Sequence, residues 1–198
     1  MVTLFTQVYL KFFFLLTPFF AISTFLAMTS EYNPSARRRL AVKVTGAVVI
    51  ITIGLFLFGS SIFKIFGITL DAFRIGAGSL LFLSAVSLVQ GSRKNPMEDK
   101  TDDIAVVPLA LPVTVGPATT GALLVMAADM QTIGQMTTAS AALIGACLTV
   151  GTLLYMAGAI EQILGQRGLV IMSKLTGLIL ASIAAQLVFT GVHNFMAQ

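Results

Sequence analysis

The stretch VVPLALPVTVGPATT, residues 106–120, decides the fold. Its residues are apolar enough for a membrane interior, but prolines at positions 108, 112 and 117 prevent one continuous helix from passing through it. Lipid offers the backbone no water, so a broken helix persists there only where neighbouring protein or a water-filled cavity satisfies the freed groups. The stretch therefore predicts a membrane-spanning helix that is interrupted near its middle.

The composition of the whole chain agrees with a membrane protein. Of its 198 residues, 57% are hydrophobic and 10% are charged, against about 45–50% and about 25% in ordinary soluble domains. So few charges cannot cover a globular surface, which excludes a soluble enzyme, a nucleic-acid-binding protein and a disordered chain. The net charge of +4 is typical of a membrane protein with basic cytoplasmic loops and requires no nucleic-acid partner.

Six apolar runs are each close to the roughly 20 residues that a helix needs to cross a bilayer. They lack the alternation of a transmembrane barrel, so the predicted fold class is an all-α integral membrane protein with six transmembrane helices. The predicted spans are Phe5–Thr29, Leu40–Phe63, Ala72–Gln90, Ile104–Ala128, Thr137–Ala159 and Leu169–Met196.

Polar gaps separate these runs, among them Ser30–Arg39, Lys64–Asp71 and Glu161–Gly168. Lysines and arginines fall unevenly on the two sides of the membrane, and the positive-inside rule places the richer side in the cytoplasm. Both termini are then predicted to be periplasmic. The nine cations of the richer side are Arg37, Arg38, Arg39, Lys43, Arg93, Lys94, Lys100, Arg167 and Lys174, and the three of the other side are Lys11, Lys64 and Arg74.

An internal repeat relates the two halves of the chain. Three pairs of landmarks stand 99 or 100 positions apart: Pro18 and Pro117, Gly59 and Gly158, and Arg74 and Lys174. We therefore predict a first three-helix repeat at residues 1–90, a cytoplasmic linker at 91–103 and a second repeat at 104–198. Each half crosses the membrane an odd number of times, so the second repeat must be inverted, as in many secondary transporters.

The chemistry of the breaks follows from the two dipeptides Thr17-Pro18 and Gly116-Pro117. Proline at a first helical position is preorganised for helix, so each dipeptide predicts the cap and first residue of a half-helix. Unpaired N–H groups and the helix dipole make such N-termini binding sites for a carboxylate near mid-bilayer. The alternative is that proline kinks are commonplace in membrane helices, and the matched pair argues against it.

Nearby hydroxyls could complete such a site. Thr114, Thr119 and Thr120 lie within a few residues of the second break, although a membrane threonine often bonds its own helix backbone instead. If the bound carboxylate belongs to a zwitterion, its ammonium group would face backbone carbonyls that Pro108 and Pro112 leave without a hydrogen-bond donor. No Asp or Glu occupies the middle of a predicted span, which argues against a carboxylate proton relay.

Asp71 and Arg74 stand three positions apart at the outer mouth of the third predicted helix, close enough to pair. They form a candidate gate, or else a helix-start acid beside a snorkelling arginine. Asp129 is predicted to be a loop residue without a role. No zinc-ligand spacing, phosphate loop or nucleophile–base pair occurs, so we expect no enzymatic activity, no cofactor and no metal.

The motif VPLALP at residues 107–112 with Gly116-Pro117, together with FGI at 66–68 and DAFRI at 71–75, resembles the MarC family of bacterial inner-membrane proteins. The family's first helix usually reads Asn/Asp-Pro-x-Gly-x-x-Pro, and here Phe20 replaces the glycine and Ser23 the second proline. The predicted substrate-binding residues are Thr17, Pro18, Ser23, Thr114, Gly116, Pro117, Thr119 and Thr120.

The resemblance implies a multi-pass protein of the inner membrane. A related branch, SnatA, is described as transporting small neutral amino acids, so a secondary transporter of such solutes is the leading hypothesis. A drug or metabolite exporter is the second, and a membrane protein without transport activity the third. The expected partners are the lipid bilayer and a small, zwitterionic substrate, with no nucleic acid. No coupling ion is predicted, and an oligomer is compatible with the sequence.

Overall fold

The computed structural model describes residues 1–91 and 116–197, and within these ranges it contains seven α-helices and no β-strand. The predicted all-α class is therefore confirmed. The helices are α1 (Val2–Leu15), α2 (Pro18–Met28), α3 (Pro34–Phe66), α4 (Leu70–Gln90), α5 (Pro117–Ala128), α6 (Ile133–Tyr155) and α7 (Ala157–Met196).

Five helical segments are long and apolar enough to cross a membrane, with α1 and α2 together forming one of them. The sixth predicted span is represented by α5, whose apolar part, Ala118–Ala128, is shorter than a full crossing. Residues 104–115, the predicted first part of that span, and positions 92–103 of the predicted linker lie outside the described residues. The five segments are Val2–Met28, Pro34–Phe58, Leu70–Gln90, Ile133–Tyr155 and Ala157–Met196.

The arginine cluster lies inside a helix and not in the predicted gap Ser30–Arg39. The side chain of Asn33 accepts a hydrogen bond from the Ala36 N–H at 2.7 Å, and Pro34 occupies the first helical position. This cap and proline start α3 before the apolar run that begins at Leu40. A helix can begin among polar residues because its start depends on hydrogen-bond partners for the N–H groups of the first turn. The loop between α2 and α3 is correspondingly short.

The predicted gap Glu161–Gly168 is also mostly helical, because α7 extends from Ala157 to Met196. Only Gly165 departs from helical geometry, with φ 65° and ψ 169°. A left-handed φ costs glycine nothing, so a single residue turns the chain where the sequence predicted an eight-residue loop. The polar gap Lys64–Asp71 likewise shrinks to the turn after Gly67, which ends α3 with φ 62°.

The most extensive helix pair is formed by α4 and α7. Two glycines allow its close approach: a Cβ at Gly78 would lie 3.0 Å from the Ala184 carbonyl oxygen, and a Cβ at Gly177 would lie 3.0 Å from that of Ala85. The other atoms within reach are those of Leu187 and Val188 for Gly78, and of Leu88 and Val89 for Gly177. Each residue that contacts the Gly78 position has a residue of the same type, 99 positions away in the sequence, that contacts the Gly177 position.

The remaining helices pack around this pair: α5 lies against α3 and α4, α2 against α7, and α6 against α1 and α3. The core includes fully buried aromatic rings from the first half of the chain, Phe12, Phe25 and Phe56. The chain termini share one end of the bundle, since the Thr138 hydroxyl near the start of α6 lies 3.5 Å from the Met1 sulfur and Asn194 contacts Asp71 near the start of α4.

Candidate functional site

The first helix is interrupted at Thr17, which lies between α1 and α2 with φ 46° and ψ 58°. Thr17 is the one non-glycine residue with positive φ in the described part of the chain. A β-branched residue rarely adopts this left-handed conformation, which costs on the order of 1–3 kcal/mol unless the surroundings impose it. The side chain is buried and makes no capping hydrogen bond, while Pro18 is the first residue of α2, as predicted.

The second half-helix, α5, begins with Gly116 as its cap and Pro117 as its first residue, also as predicted. Gly116 has φ −76° and ψ 174°, an extended conformation open to any residue, so it is not required for backbone freedom. Its carbonyl accepts the first hydrogen bond of α5, from the Thr120 N–H at 2.9 Å. Gly116 is buried.

One hydrogen bond joins the interruption at Thr17 to the start of α5. The hydroxyl of Thr119, in the first turn of α5, donates to the carbonyl oxygen of Leu15 at 3.2 Å. Leu15 is the last residue of α1, and the last carbonyls of a helix have no partner within that helix. Thr119 therefore bonds across helices and not to its own backbone, so the structure brings Thr119 to the Thr17-Pro18 break.

A cavity of about 290 Å³ ends at this place. Along α1 its lining runs from Leu4 to Leu15, about 16 Å at 1.5 Å per residue. Its walls come from α1, α5 and α7, and Arg74 of α4 stands at its edge. The polar side chains that line it are those of Gln7, Lys11, Arg74, Asp129, Gln186 and Thr190.

None of the described predicted binding residues lines this cavity directly; the break lies just beyond Leu15 at its inner end. Thr119 is buried there, whereas Thr120 and Ser23 are only half-buried and have no side-chain hydrogen bond among the described residues. Thr114 lies outside the described residues. The structure thus brings Thr17, Pro18 and Thr119 together and shows no contact that ties Ser23 to them.

The predicted pair Asp71 and Arg74 forms an ion pair, with 2.6 Å between Arg74 Nη1 and Asp71 Oδ1. The same arginine also pairs through Nη2 with Asp129 at the end of α5, a contact that the sequence did not predict. Asn194 of α7 completes the cluster by donating to Asp71 at 3.3 Å. Local sequence does not predict this contact, because Arg74 and Asp129 are 55 positions apart.

Lys11 is the residue that sequence reasoning missed. Its exposed side chain lines the cavity, and both ion pairs of the described chain belong to Arg74, so Lys11 has no carboxylate within 4.0 Å there. The available signal was a single cation inside the apolar run Phe5–Thr29, where a charge is costly and usually functional. Within the described residues, no group of three or more His, Cys, Asp or Glu side chains could hold a metal ion.

A bundle of apolar helices, an interrupted first span and a cavity of mixed polar and apolar lining that ends near the interruption are typical of a polytopic membrane protein. The chain belongs to the MarC family: the family model described as MarC family integral membrane protein matches residues 2–196.

Curated relatives cover almost the whole chain. A UPF0056 membrane protein of Methanocaldococcus jannaschii is 34% identical over 190 residues, which is 92% of each chain. The UPF0056 membrane protein YhcE of Escherichia coli is 31% identical and covers 94% of this chain and 93% of its own. No solved structure matches this chain. The relatives support a multi-pass protein of the inner membrane.

Proposed function

We propose that the protein is a secondary transporter of small neutral amino acids or similar small solutes, with substrate bound at the helix breaks. The observation that carries this proposal is the polar cavity that ends at Leu15, beside the hydrogen bond between Thr119 and the last carbonyl of α1. A transporter needs such a solvent-accessible route to an interior site, whereas a membrane scaffold does not.

The proposal includes two inverted three-helix repeats. Gly78 and Gly177 make reciprocal contacts, because each residue near Gly78 lies 99 positions from the corresponding residue near Gly177. A two-fold relation between the halves would produce this pattern. The half-helices α2 and α5 also begin with prolines 99 positions apart. In transporters built this way, one repeat rocks against the other around a fixed site near the bilayer midplane.

The charges of the cavity favour a zwitterionic substrate. Lys11 supplies a cation to attract a carboxylate, and the N-termini of α2 and α5 lie beyond it and attract the same group. Asp129, with 42% of its side chain exposed, lies at the opposite end of α5, about 18 Å away, so it offers a carboxylate to the ammonium of an entering solute and not to one bound at the breaks. Burying a polar group unpaired costs roughly 2–7 kcal/mol, so both ends of the zwitterion need partners.

The size of the cavity is sufficient for a small solute. Pockets for drug-sized ligands usually have volumes of about 300–1,000 Å³, and the volume of about 290 Å³ lies just below that range. Glycine, alanine and serine would fit it without rearrangement. An exporter of large apolar compounds would need a larger and less polar cavity.

Uptake and counterflow of labelled glycine, alanine and serine in proteoliposomes test the proposal. We expect saturable exchange that Lys11→Gln weakens, with a higher KM, because the carboxylate loses its cation. Arg167→Gln removes a cation from an exposed position away from the cavity and should leave KM unchanged. Absence of exchange for all three amino acids in folded wild-type protein would reject this substrate class.

The predicted orientation is tested separately. Reporter fusions within residues 91–103 and at the C-terminus should read cytoplasmic and periplasmic, respectively, if the lysine and arginine count sets the topology. The opposite result at either position would overturn the proposed topology without affecting the substrate assay.

A further inference from the structure

A basic depression lies at the start of α3, at the bundle end away from the termini. It encloses about 690 Å³ and is lined by three cations and no acid. Arg38 lies over the ring of Tyr155 at the end of α6, with 5.2 Å between the guanidinium carbon and the ring centre. The full lining is Pro34, Ser35, Arg38, Arg39, Val42, Lys43 and Tyr155.

An apolar groove of about 590 Å³ continues from this depression along the seam between α3 and α6. The two spaces share Val42 and Tyr155. Along α3 the groove runs from Val42 to Ile50, about 12 Å at 1.5 Å per residue, which fits within one leaflet of a bilayer. Small side chains form its floor, including Thr45, Gly46 and Gly151.

The neighbouring Arg37 makes a contact within the protein, unlike Arg39 and Lys43. Its guanidinium donates to the Thr29 carbonyl at 2.8 Å and so ties the start of α3 to the end of α2. Arg39 and Lys43 are exposed, one helical turn apart, and neither makes an ion pair within the described residues. Their charges are therefore available to an anion from outside the chain.

We propose that this surface binds one anionic phospholipid, with its phosphate beside Arg38, Arg39 and Lys43 and an acyl chain in the groove. Basic pockets between membrane helices bind such headgroups, and an aromatic residue at the interface is typical. A free phosphate would use the cations but leave the groove empty. A second copy of the chain docked symmetrically by this face would set like charges against each other.

The experiment measures lipid retention by the purified full-length protein with native mass spectrometry, comparing phosphatidylglycerol with phosphatidylcholine of equal chain length. The double variant Arg39→Gln/Lys43→Gln should lower affinity for phosphatidylglycerol roughly thirtyfold, the combined effect of two surface cations. The matched double variant Arg167→Gln/Lys174→Gln removes two exposed cations elsewhere and should retain the lipid as wild type does.

A second variant tests the groove. A Cβ at Gly46 would meet nothing within 4 Å, so Gly46→Leu is expected to fold while filling the groove. It should weaken binding of long-chain phosphatidylglycerol but not of a short-chain analogue. The proposal is overturned if wild type and Arg39→Gln/Lys43→Gln bind phosphatidylglycerol with equal affinity, or if phosphatidylcholine binds as tightly as phosphatidylglycerol. It is also overturned if inorganic phosphate displaces the lipid at constant ionic strength. Variants that lose a dimer but retain the lipid unchanged would overturn it as well.

Discussion

Thr17 precedes α2 and Gly116 precedes α5, 99 positions apart, yet their backbones differ in the opposite way from what their residues suggest. Thr17, which is β-branched, adopts the left-handed conformation, whereas Gly116, which could adopt it freely, is extended. Tertiary packing thus imposes an unfavourable conformation on Thr17. At Gly116 the extended backbone does not require a glycine.

The seam between α4 and α7 behaves differently, because there the two halves correspond residue by residue. Gly78 and Gly177 meet equivalent atoms at nearly equal distances. Packing of long helices tolerates little variation, since interiors are close-packed. The residues that precede α2 and α5 thus differ in conformation, whereas the glycine contacts along the seam between α4 and α7 match.

Gly116→Leu should abolish substrate binding and flux, because its side chain would occupy the position before α5 where the substrate is proposed to lie. The extended backbone at this position accommodates leucine. Flux in proteoliposomes and substrate-induced thermal stabilisation are the measurements. Gly76→Leu, at an exposed position with no atom within 4 Å of a Cβ, is the control and should transport normally. Wild-type flux in Gly116→Leu would show that the site lies elsewhere.

Gly78→Ala and Gly177→Ala should each destabilise the protein by about 1–3 kcal/mol through overpacking against a backbone carbonyl. Their effects should be nearly equal, because the contacts are equivalent. Gly76→Ala, two positions away on α4, should instead be neutral or stabilising by roughly 0.5–1 kcal/mol. Thermal unfolding in detergent measures all three, and a large difference between the two seam variants would break the proposed equivalence of the halves.

Thr119→Val should cost about 1–3 kcal/mol, because it leaves the buried Leu15 carbonyl without its hydrogen bond while preserving side-chain shape. Thr120→Val is the matched control, since the Thr120 hydroxyl makes no hydrogen bond among the described residues, and it should change stability by less than about 0.5 kcal/mol. The free energy of unfolding of both variants is measured in the same detergent. Equal losses would mean that the bond between the breaks contributes nothing.

Asp129→Asn should have the smallest effect, a loss below about 1 kcal/mol, because an ion pair with a partly exposed partner is weak and screened by salt. The loss should shrink between low and high ionic strength, which thermal unfolding at two salt concentrations would detect. Glu31→Gln, at an exposed acid without an ion pair among the described residues, serves as the control. A salt-independent loss would show that the contact with Arg74 is not electrostatic.

Local sequence signals predicted the site only in part. Proline at a first helical position marked the starts of α2 and α5 correctly, because the ring fixes φ and excludes the preceding residue from helix. The ion pair between Asp71 and Arg74 was predicted from their spacing of three positions, which places them one helix turn apart. The role of Asp129 and the inward position of Lys11 were missed, because both depend on helices that are distant in sequence.

The sequence by itself determined the membrane environment, the helical class and the first residues of α2 and α5, since apolar length and proline act locally and lipid permits few alternatives. The tertiary structure alone decided which carbonyl Thr119 would satisfy, that Thr17 would take a left-handed conformation, and that a polar cavity would lead to Leu15. These features arise from the packing of α1, α4, α5 and α7 against one another, and side-chain packing is a property of the whole bundle that no local pattern encodes.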